Sequence, residues 1–206
     1  MSPRPMAKTI DPGPLQATSP VAAEALLLAA TAKGDGQAFR QLVNTHISAM
    51  LGIARRMLGD AAEAEDVVQE AMLRLWRNAA SLELGPGGLK PWLRRVVSNL
   101  AIDKIRSSRN LNVVADVPEQ ATAPEQSAGM ETRDMARRVQ QALAKLPERQ
   151  RLALVLFHFE GLSQIEVGES LGVSDEAVES LLARARRTLK AELKNEWQQL
   201  LPDQLD

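Results

Sequence analysis

Two clusters of basic side chains are the clearest chemistry in this sequence. Between Lys90 and Arg109, six bases (Lys90, Arg94, Arg95, Lys104, Arg106 and Arg109) stand against one acid, Asp103, a local charge of +5. Between Arg184 and Lys194, five bases (Arg184, Arg186, Arg187, Lys190 and Lys194) face only Glu192, a local charge of +4. A third segment has the opposite sign: Asp60, Glu63, Glu65, Asp66 and Glu70 carry five acids with no base among them. The whole chain has a formal charge of −1, so its charges are segregated along the sequence. Cationic groups concentrated twice along a near-neutral chain suit contact with a polyanion at two places. Each cluster taken singly also fits an ordinary solvated helix face.

Catalysis has little to work with. The two histidines, His46 and His158, each fall in an apolar helical stripe, which points to structural roles. Gly85-Pro86-Gly87-Gly88 lacks the Gly-Lys-Ser/Thr ending of a phosphate-binding loop. No carboxylate–histidine set has metal-ligand spacing. The absence of Cys removes disulfides, thiolate metal sites and thiol redox chemistry, and it fits a reducing cytosol. The sequence therefore predicts no enzyme, no catalytic residue, no cofactor and no metal. Residues 1–20 hold five prolines and no apolar core, which predicts a disordered arm and not a signal peptide. The apolar run from Ala25 to Ala32 is too short to cross a bilayer, so no membrane insertion is expected.

The elements that must carry these clusters read as helices nearly throughout. Phe39, Leu42, Val43, His46, Ile47, Met50, Leu51, Ala54, Met57 and Leu58 recur at 3–4 spacing, and Gly59 is placed to end that helix. Ala64, Val67, Val68, Ala71, Met72, Leu75 and Trp76 repeat the pattern, with the acids near the start of their helix, where they complement its dipole. Trp76 is assigned to the core. After the Gly/Pro-rich stretch at 81–88, Pro91 suits a first helical turn. The helix it opens turns Leu93, Val96, Val97, Leu100 and Ile105 inward and its bases outward. Residues 110–131 mix Pro118, Pro124 and Gly129 with polar residues and read as a linker, with a taut reach of roughly 70 Å. The predicted fold is all-α: an N-terminal helical bundle and a C-terminal helix-turn-helix domain joined by a flexible linker. The predicted boundaries are an arm at 1–21, a first domain at 22–109, the linker at 110–131, a second domain at 132–196 and a tail at 197–206.

The second domain has its own punctuation. Ser163-Gln164-Ile165-Glu166 is a capping box that opens a short helix ending at Gly172. Ser174 is positioned to cap a second, longer helix. Gly168 leaves room for a close crossing, and Gly172 suits a turn with positive φ. A short helix, a tight turn and a longer helix with a basic continuation is the arrangement that seats a helix in the major groove. An αα-hairpin of any helical domain would share the apolar spacing alone.

Two segments carry a resemblance to a known family. Ala64-Glu65-Asp66-Val67-Val68-Gln69-Glu70-Ala71-Met72-Leu73-Arg74-Leu75-Trp76, followed by Pro91-Trp92-Leu93-Arg94-Arg95 and on to Arg106, resembles region 2 of the extracytoplasmic-function (ECF) sigma factors of the sigma-70 family. Leu146-Pro147-Glu148-Arg149-Gln150-Arg151, then Leu162 to Leu189, resembles their region 4. The resemblance implies an alternative sigma factor that binds bacterial core RNA polymerase and directs promoter recognition and initiation. It further implies a stress or envelope-signal response, an anti-sigma partner and a cytoplasmic location. In this reading Asp66, Gln69, Glu70 and Leu73 bind the polymerase. Trp92, Arg94, Arg95, Asn99, Asp103, Lys104, Arg106 and Arg109 meet the −10 element, beside a loop at about 80–90 that captures a flipped base. Asn99 fits a base contact or a helix-surface amide, and Trp92 a stacking platform or a core residue. Ser174, Asp175, Glu176, Ala177, Glu179, Ser180, Arg184, Arg186 and Arg187 face the −35 duplex, with base edges read from Asp175 to Leu182. Family members often have a base at the position of Glu179, Thr at that of Ala177 and a polar residue at that of Leu182. An acid in the groove can still accept from a cytosine amino group. The competing readings are a free-standing helix-turn-helix regulator with a sensor domain, and a helical adaptor that never touches DNA.

Overall fold

Side-chain caps decide where four of the helices begin. The computed structural model describes residues 19–112 and 130–193. The expectations for the arm before residue 19, the linker interior and the tail at 197–206 lie outside the described residues. Helix α1 spans Pro20–Ala32, so Pro20 and Val21, assigned above to the arm, are helical. Helix α2 (Gly36–Leu58) is opened by the Asp35 carboxylate, which accepts from the amides of Gln37 and Ala38 at 2.8 and 3.1 Å. Helix α3 (Ala61–Asn78) is opened by Asp60 accepting from Glu63 N at 2.8 Å. Helix α4 runs Lys90–Asn112. The central α2 packs on α1, α3 and α4, with Leu42, Met50, Ile53, Met57, Leu75, Leu93 and Val97 fully buried among them.

The second domain contains α5 (Met130–Ala144), α6 (Glu148–Leu154), α7 (Gln164–Leu171) and α8 (Asp175–Glu192). Pro147 precedes α6, and a single π turn over Val155–Phe159 extends it. Helix α4 reaches 112 and α5 starts at 130, so both ends of the predicted linker are helical. Among the described residues there is no β-strand, only an isolated bridge between Gly85 and Gly88.

The two domains share one continuous core, and the joint is built at the C-terminal end of α2. The last carbonyls of a helix have no partner inside it and attract cations. Here the other domain supplies the partners. The Arg151 guanidinium donates to the carbonyl of Met57, and also to those of Ala144 and Leu146. Gln140 Nε2 donates to Arg55 O and Arg56 O at 3.3 and 3.1 Å. The Arg56 guanidinium lies 4.6 Å over the ring of Phe159. Arg151 is only 4% exposed. Burial, and then the nearby charge of Arg109, lower its pKa to about 10, so it stays protonated at neutral pH.

One expected core residue sits differently. Trp76 is 38% exposed, because α3 buries Leu75 and leaves Trp76 on the flank, packed edge-on against Phe39 at 5.1 Å. Phe159, at the end of the π turn that extends α6, is 42% exposed and lies under the Arg56 guanidinium.

Candidate nucleic-acid interface

Helix α3 gathers Asp66, Gln69, Glu70 and Leu73 at i, i+3, i+4 and i+7, on one side of the helix. Asp66 and Gln69 are exposed, and Glu70 pairs with Arg74 at 2.9 Å. Leu73 and Trp76 add exposed apolar surface to the same stripe.

Helix α4 splits its bases between two faces. Trp92, Arg95, Asn99, Asp103 and Arg106 follow each other at 3–4 spacing, and all except the partly buried Trp92 are exposed. Arg94 turns the other way and is buried, correcting the expectation of a solvent-facing base. The cause is the second domain, which covers this side of α4 with α6 and α7. Arg94 and Lys90 share with Glu160 and Glu166 a cleft of about 310 Å³ between the domains. No hydrogen-bond partner for Arg94 Nε is found among the described residues. Lys104 pairs with Glu63 of α3 at 3.3 Å. Arg106 and Arg109 both pair with Glu148 at the start of α6, at 2.9 and 3.3 Å. Hydrogen bonding at that backbone start, then the two arginines, outweigh burial and hold the Glu148 carboxyl below the usual carboxylate range.

The helix-turn-helix follows its predicted local geometry. Ser163 Oγ accepts from Glu166 N while the Glu166 carboxylate accepts from Ser163 N at 2.9 Å, completing the capping box. Gly172 has φ 64°, where an L side chain would be strained. A Cβ on Gly168 would lie 2.8 Å from Val173 O, so the close crossing needs glycine. Ser174 caps α8 through Ala177 N. Asp175, Glu176, Glu179, Ser180, Arg184 and Arg187 are exposed along α8, and Ala177 is half-buried. The Ser174 hydroxyl, by hydrogen bonding, holds the Glu176 carboxyl below its ordinary range. Arg186 turns back toward the domain, 5.7 Å over the Phe157 ring and 3.5 Å from His158 Nε2. Burial first, and Arg186 second, push the His158 pKa down. Leu182 is 1% exposed, not groove-facing as expected, because it continues the buried stripe of Val178, Ala185 and Leu189.

Sequence reasoning missed Gln140, Glu148 and Arg151 as joint residues, and Glu24, whose carboxylate accepts from Leu89 N at 2.8 Å. An acid directly after Pro147 signals a helix start, but nothing local names Arg106 and Arg109 as its partners. Among the described residues, no group of His, Cys, Asp or Glu could hold a metal ion. No described helix is long and apolar enough to cross a membrane.

An acidic–apolar helix face, a basic helix beside it and a separate helix-turn-helix define a two-module DNA-binding protein. Comparison with known proteins is more specific. The family model of sigma-70 region 2 matches residues 42–110, and that of sigma-70 region 4 matches residues 136–189. The ECF RNA polymerase sigma factor SigW of Bacillus subtilis is 30% identical over 176 residues, covering 79% of this chain and 92% of the relative. SigL of Mycobacterium tuberculosis, also an ECF sigma factor, is 33% identical over 168 residues, covering 79% and 93%. CnrH, solved with the cytosolic domain of CnrY, aligns with TM-score 0.60 and 30% identity over 84% of this chain and 97% of CnrH. The sigma factor RpoE of Bartonella quintana, solved with the anti-sigma factor NepR, aligns with TM-score 0.63 and 25% identity over 77% and 98%. The chain belongs to the ECF sigma factors of the sigma-70 family. That family replaces the free-standing regulator and the adaptor as readings of the chain.

Proposed function

We propose a division of labour within this sigma factor, which binds core RNA polymerase and directs promoter recognition. The first domain, 22–109, docks on the polymerase through Asp66, Gln69, Glu70 and Leu73 of α3, with Trp76 completing the apolar part. The same domain takes the −10 element on the loop at 80–90 and on the exposed stripe of α4. The second domain, 132–196, reads the −35 duplex with the start of α8, and Arg184 and Arg187 hold phosphates at its flank. The mechanism is binding without turnover, in the cytoplasm. Two contacts, each weak alone, become strong when the polymerase holds both domains at promoter spacing. Unstacking a base costs a few kcal/mol, which keeps the isolated −10 contact weak.

One observation carries the assignment of α3. Its stripe leaves Leu73 42% and Trp76 38% exposed beside acids. Exposed apolar surface rimmed with charge is the composition of a docking face whose acids steer a basic partner. An anti-sigma factor is the expected negative regulator, supported by a structural neighbour of this chain that was solved with such a partner. Co-elution with cognate core polymerase tests the docking face. Asp66→Lys with Glu70→Lys is expected to weaken the complex at least about tenfold, as charge pairs lost across an interface do, without changing the melting temperature. Wild-type affinity in that variant would overturn the assignment.

A further inference from the structure

Helix α1 has no part in the contacts assigned so far, yet it reaches the one loop for which base capture is proposed. Glu24 Oε2 accepts from Leu89 N at 2.8 Å. Leu89 directly precedes α4, and its carbonyl takes the first intrahelical bond, from Leu93 N at 3.1 Å. The Glu24 carboxylate thus sits at the positive end of the helix that carries the −10 stripe. Its other oxygen, Oε1, lies 2.9 Å from Nε2 of His46 on α2, and His46 is 5% exposed. The contact with His46 is a close approach and not an aligned hydrogen bond. One side chain therefore ties α1 and α2 to the junction of loop and helix.

The loop's backbone is shaped to admit that side chain. Gly88 has φ 65°, and a Cβ there would fall 2.3 Å from Glu24 Oε2. Upstream, the loop is held at its root by Ser81 N and Leu82 N donating to Asn78 O. Beyond that root, its described backbone makes only the tight turn from Gly88 N to Gly85 O. Leu89 is fully buried, so the clasp is a fixed point at the loop's downstream end.

We infer that Glu24 is a positioning residue for −10 recognition: through its bond to Leu89 N and its contact with His46, it fixes the direction in which the loop offers its base-capturing surface to α4. The inference rests on the loop reading given above. It assigns Glu24 no contact with DNA.

Holoenzyme made with cognate core polymerase tests it, on a promoter selected by the wild-type protein and on templates altered at single −10 positions. Glu24→Ala should reduce the preference for the selected base at one −10 position by roughly tenfold, the worth of one charge-assisted hydrogen bond. Core affinity should stay within about twofold, since α3 is untouched. Glu24→Gln should recover most of the preference, because its amide oxygen still accepts from Leu89 N–H. Gly88→Ala displaces the same contact from the other side and adds its own left-handed strain, so adding Glu24→Ala to it should cost nothing further. A Glu24→Ala holoenzyme that transcribes all templates equally less well, with unchanged preference, would reduce Glu24 to a stabilising residue and overturn the inference. Glu83→Ala and Leu84→Ala separate the two levels. If these loop variants change the preference and Glu24→Ala does not, the clasp fails alone. If they leave it unchanged, the loop reading fails and takes the clasp with it.

Discussion

The two domains carry comparable positive charge and use it differently. On α8, Arg184 and Arg187 are exposed, and no ion pair among the described residues engages them. On α4, Arg106 and Arg109 are held by Glu148, Lys104 by Glu63, and Arg94 is buried under the other domain. The proposed −35 face is presented ready-made, whereas part of the proposed −10 face is occupied by the protein itself. Arg106 and Arg109 each give one contact to Glu148 and stay more than half exposed, so a phosphate on either would share or displace that carboxylate, and DNA and the second domain compete for the same groups. Burying Arg94 without a partner for its Nε costs free energy, which makes the closed pairing of domains easier to undo. The helix proposed to take the −10 element is thus the one engaged by the second domain.

The largest effects should come from groups that hold the domains or their cores together. Leu182→Ala removes a buried side chain from the packing of α8 and should cost about 3 kcal/mol in denaturant unfolding. Glu179→Ala, three residues earlier and exposed, should stay within about 0.5 kcal/mol of wild type while changing −35 base preference. Equal destabilisation by both would contradict the buried placement of Leu182.

Arg151→Met should cost about 2 kcal/mol, because it strands the carbonyls of Met57 and Ala144 in the joint. Arg151→Lys should recover part of that loss.

Glu148→Ala should cost less, about 1 kcal/mol, since Arg106 and Arg109 are more than half exposed to screening water. It should also raise the affinity of the free protein for a single-stranded −10 oligonucleotide and steepen its salt dependence, because two cations are released. The pH dependence has a fixed sign. Glu148 has a lowered pKa in the folded chain, so its stabilisation is present above its unfolded value and disappears as pH falls through the folded one. Acidification below the normal carboxylate range should loosen the domain contact, as measured by small-angle scattering, and Glu148→Gln should abolish that pH dependence.

The smallest effect is expected on the open side of the comparison. Arg187→Ala should lower duplex binding by holoenzyme almost uniformly across −35 sequences, reducing the salt slope by about one.

Local chemistry explains what the sequence made legible. Ser163 with Glu166, Gly172 and Gly59 announce helix ends because caps and left-handed residues act over a few positions, and each takes the expected geometry. The stripe of Asp66, Gln69, Glu70 and Leu73 was readable because helical periodicity alone aligns it. Leu182 also stood in a readable stripe with Val178, Ala185 and Leu189, but family expectation for the groove outweighed the spacing. The joint between domains was not legible. Arg106 meets Glu148 across 42 positions and Arg151 meets Met57 across 94, and no periodicity links residues so far apart. For the same reason Arg94 read as solvent-facing: its partner surface lies in the other domain.

The most direct test uses the lack of native cysteine. Spin labels at Ser107→Cys on α4 and Glu169→Cys on α7, both exposed, would report the separation of the domains by double electron–electron resonance. One short distance is expected in the free protein and a distinctly longer one in promoter-bound holoenzyme, as Glu148 gives up Arg106 and Arg109. A short distance that persists in transcriptionally active holoenzyme would contradict it.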